Sequence, residues 1–558
     1  MVSVGFRKLL WTYLKNRLRY PFLKNKLGDL LPNVYFGYTD HPLDIQGTPI
    51  TSIYNAISKL NRKKSKFIQN IEFKQRHDNS FIFTAKAINI FGFFNNLKLL
   101  GYLDSSPENL TEGISESHVD DYYQSLKFTE CTLQVDFLQA NIYRLRLADG
   151  PSVPENNTPM IFKDIQDPQL PVEFEETEEK YVISTSSLKL ILYKTNFHIE
   201  ILDAQGNLIT ESSGKSKNGF PNAVDAFPLG FIWDKKDKHW YGVESFVLYP
   251  GEAVYGLGEQ FGPMNKIGQT IGLWHYEGMG NTAGRIYKNI PFFMSTRKYG
   301  IFVNESKPIT FWVGSREYCK NQIAIEGDLI DYYFFHGSFK EILHNYTELT
   351  GKAAVPPKFS FGTWMSRITY KTQEEVMEVA HKLREMKFPC DIIHIDTGWF
   401  EEDWVCDWQF GKWNFPDPQK MFKELREMGF RVSLWQGPYV IDEIKEYKDA
   451  KKKKIIAKNN GPFMFVMVVP AHPIDFSNPE GVLWYQEKLK NLFDLGASVI
   501  KADFGEGIEP PMKFLKYSGR QMHNLFPLLY NKAAFEITEK TFGEGIIWAR
   551  SAYAGSQR

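Results

Sequence analysis

The chain has 558 residues, too many for one ordinary core, which points to two or three domains with room for a large barrel among them. Lys+Arg and Asp+Glu both number 66, so the formal net charge is +0 and no global field favours a nucleic-acid partner. Cys131, Cys319, Cys390 and Cys406 are scattered, which argues against a disulfide framework and fits a reducing, cytoplasmic setting. Neither they nor the histidines show metal-ligand spacing, so no metal or other cofactor is expected.

Residues 1–70 read as a basic N-terminal extension. Phe6-Arg7-Lys8-Leu9-Leu10-Trp11 through Lys24, Lys26 and Leu27 contains no acid before Asp29 and spaces its apolar residues roughly as a helix does. A docking helix is the first reading and contact with a membrane surface the second. Charges recur too often for a spanning helix.

Residues 71–350 have the texture of a β-sandwich. Ser80-Phe-Ile-Phe-Thr-Ala, Cys131-Thr-Leu-Gln-Val-Asp-Phe, Tyr181-Val-Ile-Ser-Thr and Leu188-Lys-Leu-Ile-Leu-Tyr alternate apolar and polar residues between Gly, Asn, Pro and Asp turns. From Gly256 to Phe292 the glycines interleave with Trp274, Tyr276 and Tyr287, as in a loop that closes over a pocket or in an irregular connection with aromatic anchors.

The pattern changes at Val355-Pro356-Pro357, and residues 351–558 alternate short apolar strands with amphipathic helices. Strands are predicted over 359–365, 390–395, 432–435, the Lys501 segment and 546–549. Helices are predicted over 373–386, 418–428 (capped by Asp417), 479–495 (capped from Ser477 or Asn478) and around 522–541. Repeated βα units with near-continuous apolar strands predict a parallel sheet and fit a TIM barrel better than a doubly wound fold. Five such units are present, so the expected architecture is a β-sandwich followed by an incomplete (β/α)8 barrel.

Asp396, Trp435, Asp503 and Arg550 fall at the C-terminal ends of four successive predicted strands, the edge where such barrels do their chemistry. Lys501 and Asp503 are two apart, so a continuing strand would point both to one side, with the ammonium holding the carboxylate ionised. That state suits a nucleophile or an acceptor for sugar hydroxyls. The same pair could instead plug the middle of a barrel.

Lys501-Ala-Asp-Phe-Gly-Glu506 also resembles the nucleophile motif of glycoside hydrolase family 31, in the subgroup typified by bacterial α-xylosidases. Val254-Tyr-Gly-Leu-Gly-Glu259, Tyr287-Lys-Asn-Ile-Pro-Phe292, Phe361-Gly-Thr-Trp364, Phe415-Pro-Asp-Pro418, Trp435 with Pro438-Tyr439, Met522-His-Asn524 and Ala549-Arg-Ser-Ala552 follow in the family's order. The resemblance implies a retaining glycosidase acting on α-xylosides or α-glucosides of oligosaccharides, with Asp503 as the nucleophile. It places Asp396, Trp435, Lys501 and Arg550 around the sugar, with Thr397 and the loop tryptophans Trp399, Trp404 and Trp408 shaping the pocket.

The family's general acid lies beyond the Arg-Ser-Ala segment, so the resemblance implies a C-terminally truncated chain, inactive alone. Thr397-Gly398 replaces a cysteine-aromatic pair of the subgroup, a change expected to enlarge the pocket near the sugar's C5 substituent. The alternatives are a non-catalytic carbohydrate-binding pseudoenzyme, or a sulfoquinovosidase, transglycosylase or lyase relative. A homo-oligomer is compatible with all of them.

Overall fold

The computed structural model describes residues 65–88, 128–195, 197–212, 229–234, 238–276, 285–458, 463–465 and 469–558. Most of the extension predicted over 1–70 lies outside the described residues, and its end, from Ser65, is already in the strand Ser65–His77. The chain divides into two compact units. One takes its described residues from His41–Leu273 and Ile290–Gly351, the other from Trp274–Asn289 and Lys352–Arg558.

The first unit is built from antiparallel strands. Ser80–Ile88 pairs with Ser65–His77 on one side and Thr129–Gln139 on the other, and Ile142–Ala148 joins Thr129–Gln139 to Leu329–His336. The alternation in sequence becomes a two-faced strand: Phe81, Phe83, Ala85 and Ala87 are buried, and Ile82, Thr84 and Lys86 between them are half-buried. Strands Tyr299–Val303, Ile309–Val313 and Lys320–Glu326 are buried at every position.

One carboxylate inside this unit gathers several donors. Arg144 donates from Nε and Nη2 to Asp331 at 2.8 and 2.6 Å, and Asn156 and Asn304 donate to the same carboxylate. Glu244 is fully buried beside Tyr332 and accepts a hydrogen bond from the Ser212 hydroxyl. Burial pushes its carboxyl up to about 7.

The second unit contains a parallel sheet whose five strands run in chain order. They are β1 (Trp364–Arg367), β2 (Ile392–Ile395), β3 (Arg431–Gln436), β4 (Val499–Ala502) and β5 (Ile547–Ala549). Helix α1 (Gln373–Glu385) follows β1, α2 (Pro418–Glu427) follows β2, α3 (Pro479–Leu495) precedes β4 and α4 (Gly519–Phe542) follows it. Each starts where a side chain satisfies an orphan amide. Thr372 accepts from Glu375 N, Asp417 from Lys420 N, Asn478 from Glu480 N, and Ser518 forms a reciprocal box with Gln521.

Two stretches differ from the expectation. The strand predicted over 359–365 is instead a 3-10 turn at Lys358–Phe361 followed by the short β1, with the Ser360 hydroxyl closing back onto Pro357 O at 2.7 Å. The connection after β3 carries a small antiparallel sheet, Tyr439–Ile441, Phe463–Phe465 and Val469–Pro473, and the helix Lys445–Lys453, none of which the βα reading contained. The region 256–292 is not one loop either. Gln269–Leu273 is a strand of the first unit, while Trp274–Asn289 groups with the second, its residues 277–284 lying outside the described ones.

Among the described residues no helix is long and apolar enough to cross a membrane.

Candidate active site

Four polar or charged side chains leave the C-terminal edge of the parallel sheet within reach of one another. Asp396 is the first residue after β2, Trp435 lies at the end of β3, Asp503 follows β4 and Arg550 follows β5. Parallel strands in register place these ends side by side, and Trp435 stands opposite Lys501 in the β3–β4 pairing.

Asp396 is the most heavily bonded of the four. Its Oδ2 accepts from Lys501 Nζ at 2.7 Å and faces His394 Nε2 at 2.9 Å, while Oδ1 accepts from Thr397 N at 3.1 Å. Burial pushes this carboxyl up, but His394 and Lys501 outweigh it and hold the group below its ordinary value. Burial also pushes the His394 imidazole down, so it is neutral, donating from Nε2 and accepting from the Ser433 hydroxyl at Nδ1, 3.0 Å away.

Asp503 takes two strong donors. Trp435 Nε1 reaches Oδ2 at 2.7 Å and the amide of Phe504 reaches Oδ1 at 2.9 Å. Arg550 Nε stands 3.6 Å from Oδ1 and Lys501 Nζ 4.0 Å from Oδ2. The pairing read from sequence is present but shared: Lys501 Nζ lies closer to Asp396, at 2.7 Å, than to Asp503. The amide of Asp503 still donates to Gln436 O at 3.0 Å, one residue beyond the end of β4.

Arg550 pairs with Glu506 and lies over the rings of Phe504 and Tyr287, at 4.3 and 4.7 Å from their centroids. Tyr287 is held there because its carbonyl accepts from Ala552 N at 3.0 Å. Lys501 in turn lies over Trp548, 5.0 Å from the ring.

Solvent reaches the side chains of Lys501 (19% exposed), Arg550 (18%) and Asp503 (11%), so the accessible part of the cluster is two cations around one carboxylate. The remaining sequence-predicted residues support from behind. Trp435 is fully buried, covered by Trp404 at 5.9 Å and Phe504 at 6.2 Å, and reaches the site through its N–H. Trp399 is also fully buried and donates to Trp435 O at 3.2 Å, and Thr397 is enclosed. Trp408 is turned toward α3, packed edge-on to Trp484 and Tyr485.

Gly398 stands against a neighbouring loop. A Cβ there would lie 2.6 Å from Thr369 Cγ2 and 2.7 Å from Tyr370 O.

His394, Ser433, Tyr439, Trp548 and Tyr287 belong to this cluster and were not singled out as site residues from the sequence. A signal existed for His394, which shares a strand face with Asp396 two residues on. Tyr287 and Tyr439 stand in two of the motifs that carry the family resemblance, and Ser433 and Trp548 lie two residues before Trp435 and Arg550, the same spacing as His394 to Asp396. A groove of about 400 Å³ lined by Trp408, Phe410, Phe415, Pro418, Asn491 and Leu495 includes none of the strand-end charges. Among the described residues no group of three or more His, Cys, Asp and Glu is placed to hold a metal ion.

Comparison with known proteins gives the family of the two regions. Residues 353–558 match the glycosyl hydrolases family 31 TIM-barrel domain, and residues 132–311 match the glycosyl hydrolase 31 N-terminal galactose mutarotase-like domain. The chain belongs to glycoside hydrolase family 31. Among its family 31 relatives it is 34% identical to the α-xylosidase XylQ of Lactiplantibacillus pentosus over 396 residues, covering 69% of this chain and 50% of that one. It is 32% identical to an α-xylosidase of Emericella nidulans over 334 residues, covering 58% and 42%. The chain thus spans about half the length of the curated relatives it matches. A family 31 dextranase structure from Flavobacterium johnsoniae shares the fold with a TM-score of 0.71 at 23% identity, over 88% of this chain and 56% of that one.

Proposed function

We propose that this chain carries the nucleophile side of a retaining α-glycosidase acting on α-xylosides or α-glucosides of oligosaccharides. The observation that supports it most is the presentation of Asp503 at the open edge of the sheet, fixed by Trp435 Nε1 and Phe504 N and flanked by two cations. In this reading a carboxylate oxygen of Asp503 bonds to the anomeric carbon as the glycosidic C–O bond breaks. Asp396, ionised and with acceptor capacity left on Oδ1, accepts a hydrogen bond from a hydroxyl of the sugar, and Lys501 and Arg550 donate to the sugar's oxygens.

Retaining hydrolysis also needs a carboxylic acid that protonates the leaving oxygen and then activates water. Asp396 is held ionised and Glu506 is tied to Arg550, so neither is placed for it. In this reading the donor is a further carboxyl. On its own the polypeptide is expected not to turn over glycosides whose leaving group needs a proton. The relatives named as α-xylosidases support the substrate class. A cytoplasmic setting remains part of the proposal, on the scarcity of cysteine.

A leaving group that needs no proton separates the two halves of this mechanism. Treated with a 5-fluoro-α-xylosyl or 5-fluoro-α-glucosyl fluoride, Asp503 would form the glycosyl ester as the C–F bond breaks and fluoride departs with the electron pair. Intact mass and peptide mapping should find one adduct on the 503 peptide and none in Asp503→Asn. An unmodified wild-type chain with both sugars would reject the assignment.

A further inference from the structure

Asp503 is followed by a turn that L residues resist. Phe504 has φ 59° and Gly505 φ 108°, so two consecutive residues lie on the positive side of the map. A bulky aromatic there persists only where its surroundings over-determine the backbone. A side chain at 505 is also blocked, since a Cβ would lie 2.6 Å from Ser551 Oγ.

Two hydroxyls hold the turn from outside: Ser551 Oγ donates to the carbonyl of Phe504, and Tyr439 takes the amides that follow. Tyr439 Oη accepts from the amides of both Gly505 and Gly507, each at 3.2 Å, using the two lone pairs a phenolic oxygen has. The ring itself is fixed by other means: its strand, Tyr439–Ile441, pairs with Val469–Pro473, and it stacks on Phe526 with centroids 6.5 Å apart. Tyr439 is fully enclosed, and burial pushes its phenol far up, which keeps it neutral. The geometry points to Tyr439 as a positioning residue that sets the aim of Asp503 by clamping the two amides of the turn behind it. This rests on the reading of Asp503 as a nucleophile.

Tyr439→Phe tests the clamp, because it keeps the stacked ring and removes only the acceptor. The buried amide of Gly505 and that of Gly507 then lose their partner, and the turn relaxes at the reacting carboxylate. In the full chain, hydrogen exchange of the peptide spanning 503–508 should rise in the variant while the peptides of α3 and α4 stay as in wild type. With the 5-fluoro-α-glycosyl fluorides, the maximal labelling rate should fall about 10- to 100-fold, with the concentration for half-maximal rate changed by less than about threefold. Loss of packing alone would instead raise exchange everywhere and leave the labelling rate of the folded fraction unchanged, which overturns the proposal. Unchanged exchange at 503–508 overturns it as well, whether or not label is taken. If wild type takes no label, the nucleophile reading fails by itself, and the exchange measurement still decides the clamp.

Discussion

Lys501 reaches past β3 to Asp396, with Nζ 2.7 Å from Oδ2. The contact ties the second strand of the parallel sheet to the fourth and makes the ammonium a shared element, since it also stands 4.0 Å from Asp503. One cation therefore serves the carboxylate proposed to accept a sugar hydroxyl and the one proposed to attack.

Lys501→Met should damage binding through Asp396. The buried carboxylate would keep only His394 and the Thr397 amide as donors, and half-maximal labelling should need about 10-fold more reagent. The pH behaviour follows from Asp396 being held low: its stabilising contribution is present above the unfolded value of 3.8 and is lost as pH falls through the lowered folded value. Without the ammonium that contribution shrinks, so acid unfolding, followed by circular dichroism, should begin at higher pH in the variant.

Trp435→Phe removes the 2.7 Å donor to Asp503 Oδ2 and leaves most of the ring packing. A hydrogen bond to a charged group contributes about 1.5–3 kcal/mol, so the labelling rate should fall roughly 10- to 100-fold. A time course by mass spectrometry checks it, and a rate equal to wild type would show that the indole only fills space.

Gly398→Ala should destabilise the second unit by about 1–3 kcal/mol, because both the Thr369 methyl and the backbone oxygen of Tyr370 occupy the position of the new carbon. Denaturant unfolding would measure it. Equal stability would mean that the loop carrying Thr369 can retreat.

Glu244→Gln should stabilise the first unit at neutral and alkaline pH. The folded value of about 7 lies above the unfolded 4.5, so Glu244 has no net effect below pH 4.5, and stability falls as pH rises from there to about 7. The full penalty of ionising it inside is on the order of 3 kcal/mol. The variant keeps an oxygen for the Ser212 hydroxyl and carries no charge. Thermal unfolding from pH 4 to 9 should show its advantage growing across that window and level above it.

The elements themselves were largely legible. Asn478-Pro479 and Asp417-Pro418 mark two helix starts chemically, and α1, α2, α3 and β3 fall within a residue or so of their predicted ends. Strand 359–365 failed because Pro356, Pro357 and Gly362 favour a local turn whose closing bonds do not show as periodicity. The small sheet after β3 failed for a related reason. Its strands are only three to five residues long, too short to reveal a period.

By itself the sequence determined which residues end the parallel strands, because alternation, caps and apolar runs are local properties of the chain. That was enough to bring Asp396, Trp435, Lys501, Asp503 and Arg550 to one edge. Only the tertiary structure decided how they pair: Lys501 with Asp396, Trp435 through its N–H with Asp503, Arg550 with Glu506, and Tyr439 beneath the turn. Hydrogen bonds depend on directions and separations of a few tenths of an ångström between segments far apart in the chain, and spacing along the sequence carries no record of those.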